Sequence, residues 1–324
     1  MDDPEINCMK TFDVLVVGEL NVDIILDDIQ GFPKIGKEIL AHTFNLTLGS
    51  SSAIFASNLS ALGSSVAFMG KIGADDFAMI VESSLHQKNV NTEFILKSDT
   101  YKTGATVVMN YDLDRANITF PGAMEYLKEE EITDTILKSA KHLHLSSVFL
   151  QTALKKDIVR LFKRAKDLGL TTSMDPQWDP QETWDLDLHQ LLPLIDVFLP
   201  NVLEFQFLTD SEHMTSGLEK VASVANTIVI KDGENGSHLW SNGALVSKPA
   251  YLNDTVIDCI GAGDSFDAGF IHRYIQGKPL TECLEFGNIT GAINTTASGG
   301  TTAFKDREHI GAIAKNQFSY DIEK

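Results

Sequence analysis

From Glu129 to Asp264 the chain alternates between segments that read as helices and short apolar segments that read as strands. Glu129 to Lys141 reads as a helix, His142 to Leu145 as a strand, and Thr152 to Leu168 as a helix whose apolar stripe is Leu154, Ile158, Leu161, Phe162, Ala165 and Leu168. Further strands are expected at Leu170 to Met174, Val197 to Leu199 and Thr227 to Ile230. Strands that return through helices line up in parallel, so the pattern predicts an α/β fold whose mostly parallel central sheet is covered on both faces. Phe12 to Gly18, an unbroken β-branched run ending in glycine, is expected to be a central strand of that sheet.

In such folds ligands gather outside the carboxyl ends of the strands, and the polar residues of this chain fall there. Glu19-Leu20-Asn21-Val22-Asp23 follows the first strand, so Asn21 and Asp23, at i and i+2, share a side and could grip vicinal hydroxyls; each also fits a turn or a solvated position. Asp175-Pro176, Pro200-Asn201-Val-Leu-Glu204 and Lys231-Asp-Gly233-Glu-Asn-Gly236 end later strands. Asn201 and Glu204, three apart, equally fit a helix cap with its capping glutamate. Gly31 to Lys37 nearly spells a phosphate-binding G-x-x-x-x-G-K-[ST] loop but has Glu38 where a hydroxyl is required, and it reads as an exposed connection.

Val256 to Phe270 reads as an extended apolar half and a helical half joined at Gly261, Ala262 and Gly263. A strand is expected to hand over to a helix there, and the first amides of that helix, with its dipole, form an anion site that two glycines leave open. Asp264 stands at its mouth, where a carboxylate beside a phosphoryl group would serve to accept the proton of an attacking hydroxyl. Taken alone, Asp264 also fits a simple helix cap.

Asp258 to Asp264 resembles the D-T-x-G-A-G-D signature of the ribokinase-like (PfkB) family of carbohydrate kinases, with Cys259 and Ile260 in place of the usual threonines. Leu48 to Gly63 is similar to the family's small-residue helix, with Ser50 for its second glycine and Ile54 for an asparagine. The N-x-D, D-P-N, P-N-x-x-E and G-x-x-G patterns follow in order, with Gln177 where asparagine is common. The resemblance spans Gly18 to Gly300. It implies a single ribokinase-like domain over residues 1–324, a three-layer αβα fold whose small β-sheet lid is built from about 19–48 and 98–122. By it, Asp264 is the catalytic base and Gly261, Ala262 and Gly263 the anion hole. Asn21, Asp23, Gly49, Ser50 and Ser51 bind the sugar. Asn201, Lys231, Gly233, Gly236 and Asn288 serve the nucleotide, with Lys231 the one positive charge near its phosphates. Glu204 acts on magnesium through water, and Asp258 is a candidate ligand of a monovalent cation. The implied cofactors are ATP and Mg2+, with K+ as a further candidate. Ile54 would form an apolar pocket wall, which leaves a nucleoside (adenosine-like) kinase open beside a sugar kinase; Ser50 and Ile54 together leave open a catalytically silent sugar-binding relative.

The 324 residues carry a formal net charge of -19, which argues against nucleic acid or an anionic membrane as partner and favours backbone amides as the anion site. Three scattered cysteines, Cys8, Cys259 and Cys283, fit a reducing cytoplasm. No apolar run approaches the roughly 20 residues of a membrane span. The acidic first residues read as a short loose tail, and exposed lid strands would be protected by a homodimer that pairs the lids.

Overall fold

The computed structural model describes residues 11–111 and 114–322, with Asp114 described by its backbone alone. The expected N-terminal tail, Cys8 and the hairpin tip at 112–113 lie outside the described residues.

The strands are β1 (Phe12–Val17), β2 (Asn21–Asp27), β3 (Thr43–Leu48), β4 (Val66–Met69), β5 (Lys71–Gly73), β6 (Leu96–Ser98), β7 (Gly104–Tyr111) and β8 (Asp114–Phe120). Then come β9 (Ala140–Ser146), β10 (Thr171–Asp175), β11 (Val197–Phe198), β12 (Thr227–Lys231), β13 (Ser237–Ser241) and β14 (Ala244–Lys248). An eight-stranded sheet runs β14-β13-β12-β11-β10-β9-β1-β4, parallel from β12 through β4, with β13 and β14 antiparallel. Alternate residues of β1 supply two separate cores: Val14 and Val16 pack on one face, Leu15 and Val17 on the other, all fully buried. That alternation is what two covered faces require. Helices Ala262–Ile275 and Leu280–Asn294 cover the first face through Phe266, Phe270, Phe286 and Ile289, while Ile158–Asp167 covers the second through Leu161 and Phe162.

Four expectations change in detail. β1 is bonded on both sides but lies next to the edge strand β4 rather than in the middle. The helix expected from Glu129 to Lys141 is a 3-10 turn at Glu129–Glu131 and a short helix at Asp134–Lys138, because Thr133 caps a new start and Ala140 already belongs to β9. Thr152 to Leu168 is two helices broken at Lys156 and Asp157. The helix expected to begin near Phe286 starts at Leu280, just after Pro279, whose fixed φ favours a helix start.

A second, four-stranded sheet, β3-β2-β7-β8, stands apart from the first. The chain enters it directly from β1: Gly18, Glu19 and Leu20 separate β1 from β2, so the carboxyl edge of the large sheet and the start of the small one meet. β2 pairs in parallel with β7 and antiparallel with β3, and β7 forms a hairpin with β8. Between the two sheets opens a cleft of about 930 Å³.

Candidate active site

The helix Ala262–Ile275 starts from Gly261 at φ 77°, and no side chain caps its N-terminus. Only glycine holds that position comfortably: besides the positive φ, an added Cβ would lie 2.7 Å from Gly300 Cα and 3.0 Å from Ile54 Cγ2. The segment before it differs from expectation. No strand precedes the turn; Val256 and Ile257 are 52% and 61% exposed in an irregular loop, tied by the amide of Ile257 to the carbonyl of Thr295 at 2.9 Å. The Ala262 amide donates to the Cys259 carbonyl at 3.2 Å and so closes the turn, which leaves the following amides for an anion.

A buried polar network fixes this turn. Asn58 donates to Ser265 Oγ and to the Gly300 carbonyl, both at 2.8 Å; Ser265 Oγ donates to the Gly261 carbonyl at 2.7 Å and meets Asn294 Oδ1 at 3.0 Å; Asn294 donates to the Ile260 carbonyl at 2.6 Å. Asp258 braces the opposite side, accepting from the amides of Ile260 at 2.8 Å and Gly299 at 2.9 Å. Its carboxylate thus ties the Gly299 loop to the turn before Gly261. Ile54, 4% exposed, is wedged between Gly261 and Gly300, so it braces the turn as much as it walls the cleft.

Asp264, in the first helical turn and 7% exposed, lines the cleft. Gln177 Nε2 donates to its Oδ1 at 3.0 Å. Burial, with the charge of Asp175 beside it, pushes its carboxyl up to about 7, against the pull of Lys231 and of a hydrogen bond with Ser51. Gln177 also donates to Asp175 Oδ2 at 2.6 Å; Lys231 Nζ reaches the same oxygen at 2.8 Å and Asp267 Oδ2 at 3.0 Å. Burial alone would depress Lys231, but Asp175, Asp267 and Glu204 hold its ammonium above the usual lysine range. Lys231 lines the cleft, and its charge is matched there by two buried carboxylates.

Asn201 and Glu204 form a reciprocal cap on helix Val202–Leu208, each contact 2.9 Å, and both also line the cleft. Burial and Asp175 push Glu204 up to about 8. Glu204 and Asn201 place oxygen donors on the cleft wall, which suits magnesium that keeps its waters and is met through them.

On the other side of the cleft, Asn21 Nδ2 donates to Asp23 Oδ1 at 2.9 Å and to Thr106 Oγ1 at 3.1 Å, so the two residues do share one face of β2. Burial pushes Asp23 up to about 6, opposed by the Asn21 bond and by Arg115. Gly49 lies directly against them; an added Cβ would sit 2.3 Å from Asp23 Oδ1. Ser50, at φ 71°, spends its hydroxyl as a helix cap, accepting from Ala53 N at 2.9 Å and donating to the Glu19 carbonyl at 2.6 Å. Ser51 stays at the cleft beside Asp264.

The cleft thus brings together Asn21, Asp23, Ser50 and Ser51 with Asn201, Glu204, Lys231, Gly233 and the Gly261–Asp264 turn. Of the expected site residues, Gly49, Gly236, Asp258, Ala262 and Asn288 are not on its wall. Gly236 serves a tight turn, where an added Cβ would meet the Lys248 carbonyl at 2.0 Å, and Asn288 donates to the Pro249 carbonyl at 3.3 Å. Arg115, Asn117 and Thr119 line the cleft from alternate positions of β8, a signal the period-2 spacing carried. Glu19, Gln177 and Trp178 also line it.

The sequence pattern of the family described as pfkB family carbohydrate kinase matches residues 11–307. A fructokinase of Vibrio alginolyticus is 28% identical over 81% of this chain and 90% of its own length. The fold is shared with the Arabidopsis thaliana ribokinase complexed with ribose and ATP (24% identity, 94% of this chain and 99% of that one, TM-score 0.81) and with an adenosine kinase of Sinorhizobium meliloti (23% identity, 90% and 95%, TM-score 0.78).

Proposed function

The chain belongs to the pfkB family of carbohydrate kinases, as an ATP-dependent kinase, and from that premise we propose that it transfers the γ-phosphoryl group of ATP to a hydroxymethyl group of a small sugar, with Asp264 as general base. One observation carries this reading: the buried Asp264 carboxylate sits in the first turn of a helix with no side-chain cap, and both face the cleft that Asn21 and Asp23 line from the small sheet. A hydroxyl held by Asn21 and Asp23 gives its proton to Asp264 as its oxygen bonds to the γ-phosphorus, whose bond to the bridging oxygen breaks as ADP leaves. The amides after Ala262 stabilise the charge that grows on the phosphoryl oxygens. Glu204 and Asn201 would hold magnesium through water, and the ion would supply neutralisation of charge on the phosphates.

The small sheet, within about 19–48 and 98–122, acts as a lid that excludes water from the sugar. Phe44, Ile118 and Phe120 are 66%, 63% and 55% exposed on that sheet, which supports its pairing with a second copy in a homodimer. A nucleoside acceptor is the second reading. Ile54 lines the cleft while it braces the turn, and Trp178, 43% exposed on the cleft wall, offers a face for a base as well as for a sugar. ADP release measured across a panel of sugars and adenosine, with ATP and magnesium, tests both. Turnover with a sugar supports the first reading, turnover with adenosine alone the second, and no acceptor-dependent release would contradict both.

A further inference from the structure

The contacts Asp267–Lys231–Asp175–Gln177–Asp264 run without a break at 3.0, 2.8, 2.6 and 3.0 Å, and the link that joins the buried ion pairs to the cleft is an uncharged amide. We propose that Gln177 is a positioning residue: its amide holds one carboxylate oxygen of Asp264, fixes it against Asp175, and keeps it in the ionised form that accepts a proton. This rests on the reading of Asp264 as the general base.

Three features of the geometry support it. Both contacts are made by the nitrogen, and a primary amide has two N–H bonds, one for each carboxylate. With the nitrogen placed so, each N–H meets a carboxylate oxygen, and a charged carboxylate accepts such a bond more strongly than a protonated one. Next, Gln177 has φ 58°, a left-handed conformation that a side chain of this length seldom adopts, and its amide N–H points back to Asp175 Oδ1 at 3.3 Å. The turn thereby sends the side chain toward Asp264 while Trp178 enters an aromatic group with Trp184 and Phe207. An asparagine suits that backbone better but is one methylene short of spanning the two carboxylates, so the longer side chain is used for its reach.

The charges around Asp264 show why such a donor matters. Asp175 faces it from the end of β10, Glu19 from the end of β1, and Glu204 from the helix after β11; each opposes ionisation. Lys231, from the end of β12, favours it but is shared among Asp175, Asp267 and Glu204. The remaining donors are Ser51 and Gln177. Removing the Gln177 donor should therefore raise the pH at which Asp264 becomes a base.

The test compares pH profiles of kcat/KM for the acceptor that the panel identifies, in Gln177→Leu, Gln177→Glu and Asp264→Asn proteins. The ascending limb is expected to move up by about one pH unit in the Leu and Glu variants, a roughly tenfold loss at neutral pH that is recovered in alkaline buffer. A merely structural role would lower the rate by the same factor at every pH. If Gln177→Leu fails to fold, Gln177→Asn, which suits the backbone, takes its place under the same criterion. An unmoved limb in the Gln177 variants, with turnover abolished in Asp264→Asn, overturns the positioning role and leaves the base intact. Full turnover in Asp264→Asn overturns the base and this inference with it.

Discussion

Lys231 and Asp175 meet at 2.8 Å in the interior, the carboxylate 1% and the lysine side chain 12% exposed, at the ends of two strands that do not neighbour each other. The pair joins β10 to β12 across β11 at the edge where the cleft opens. Removing the cation would leave Asp175 and Asp267 buried together without compensation. Lys231→Met is therefore expected to cost roughly 3–5 kcal/mol, read as a lower urea midpoint at unchanged slope. Adding Asp267→Asn should recover part of that loss, because one buried charge is then gone.

The Gly261 turn is held by sterics as well as by φ. Gly261→Ala should lose roughly 1–3 kcal/mol in thermal unfolding and most of the activity, since the Cβ must displace Gly300 and Ile54. Gly233→Ala serves as the contrast. It also has a positive φ, 54°, but nothing lies within 4 Å of an added Cβ, so its cost should be confined to backbone strain.

Asn58→Leu tests the polar network behind the turn. It removes a 2.8 Å donor from the Gly300 carbonyl and from Ser265 Oγ, which keeps its bonds to Gly261 and Asn294, and should destabilise the fold by about 1–3 kcal/mol. Steady-state kinetics should show kcat falling with little change in acceptor KM, because Asn58 touches the anion turn and not the small sheet.

Asp264 links stability to pH with a definite sign. Its folded carboxyl titrates at about 7, above the ordinary 3.8, so its contribution is fully present below about 4 and is lost as pH rises toward 7. Asp264→Asn should consequently be more stable than the parent at pH 8, by on the order of 1–3 kcal/mol, and equal to it near pH 4. Urea denaturation at the two pH values checks it; a variant less stable at pH 8 would contradict the assigned direction.

The parts of the fold visible in the sequence were those set by local pattern. The apolar run Val14 to Val17 and the alternation through β9, β10, β11 and β12 specify a covered parallel sheet, and Gly261 with Gly263 marks a turn before a helix. Asn21 and Asp23 were readable because two residues of spacing fixes a shared face. Local pattern also misled where exposure decides. Val256 and Ile257 have strand-forming side chains but no neighbouring strand. What stayed hidden depends on long-range contact. Asn58 and Ser265 meet across a separation of 207 residues, and Gln177 and Asp264 across 87, distances at which a single sequence carries no register.

The most direct measurement is turnover of Asp264→Asn with the acceptor identified by the panel, alongside its affinity for ATP. Loss of a general base predicts a fall of at least about a hundredfold in kcat with nucleotide affinity nearly unchanged. Turnover at the parent's rate would contradict the assignment of proton acceptance to this carboxylate.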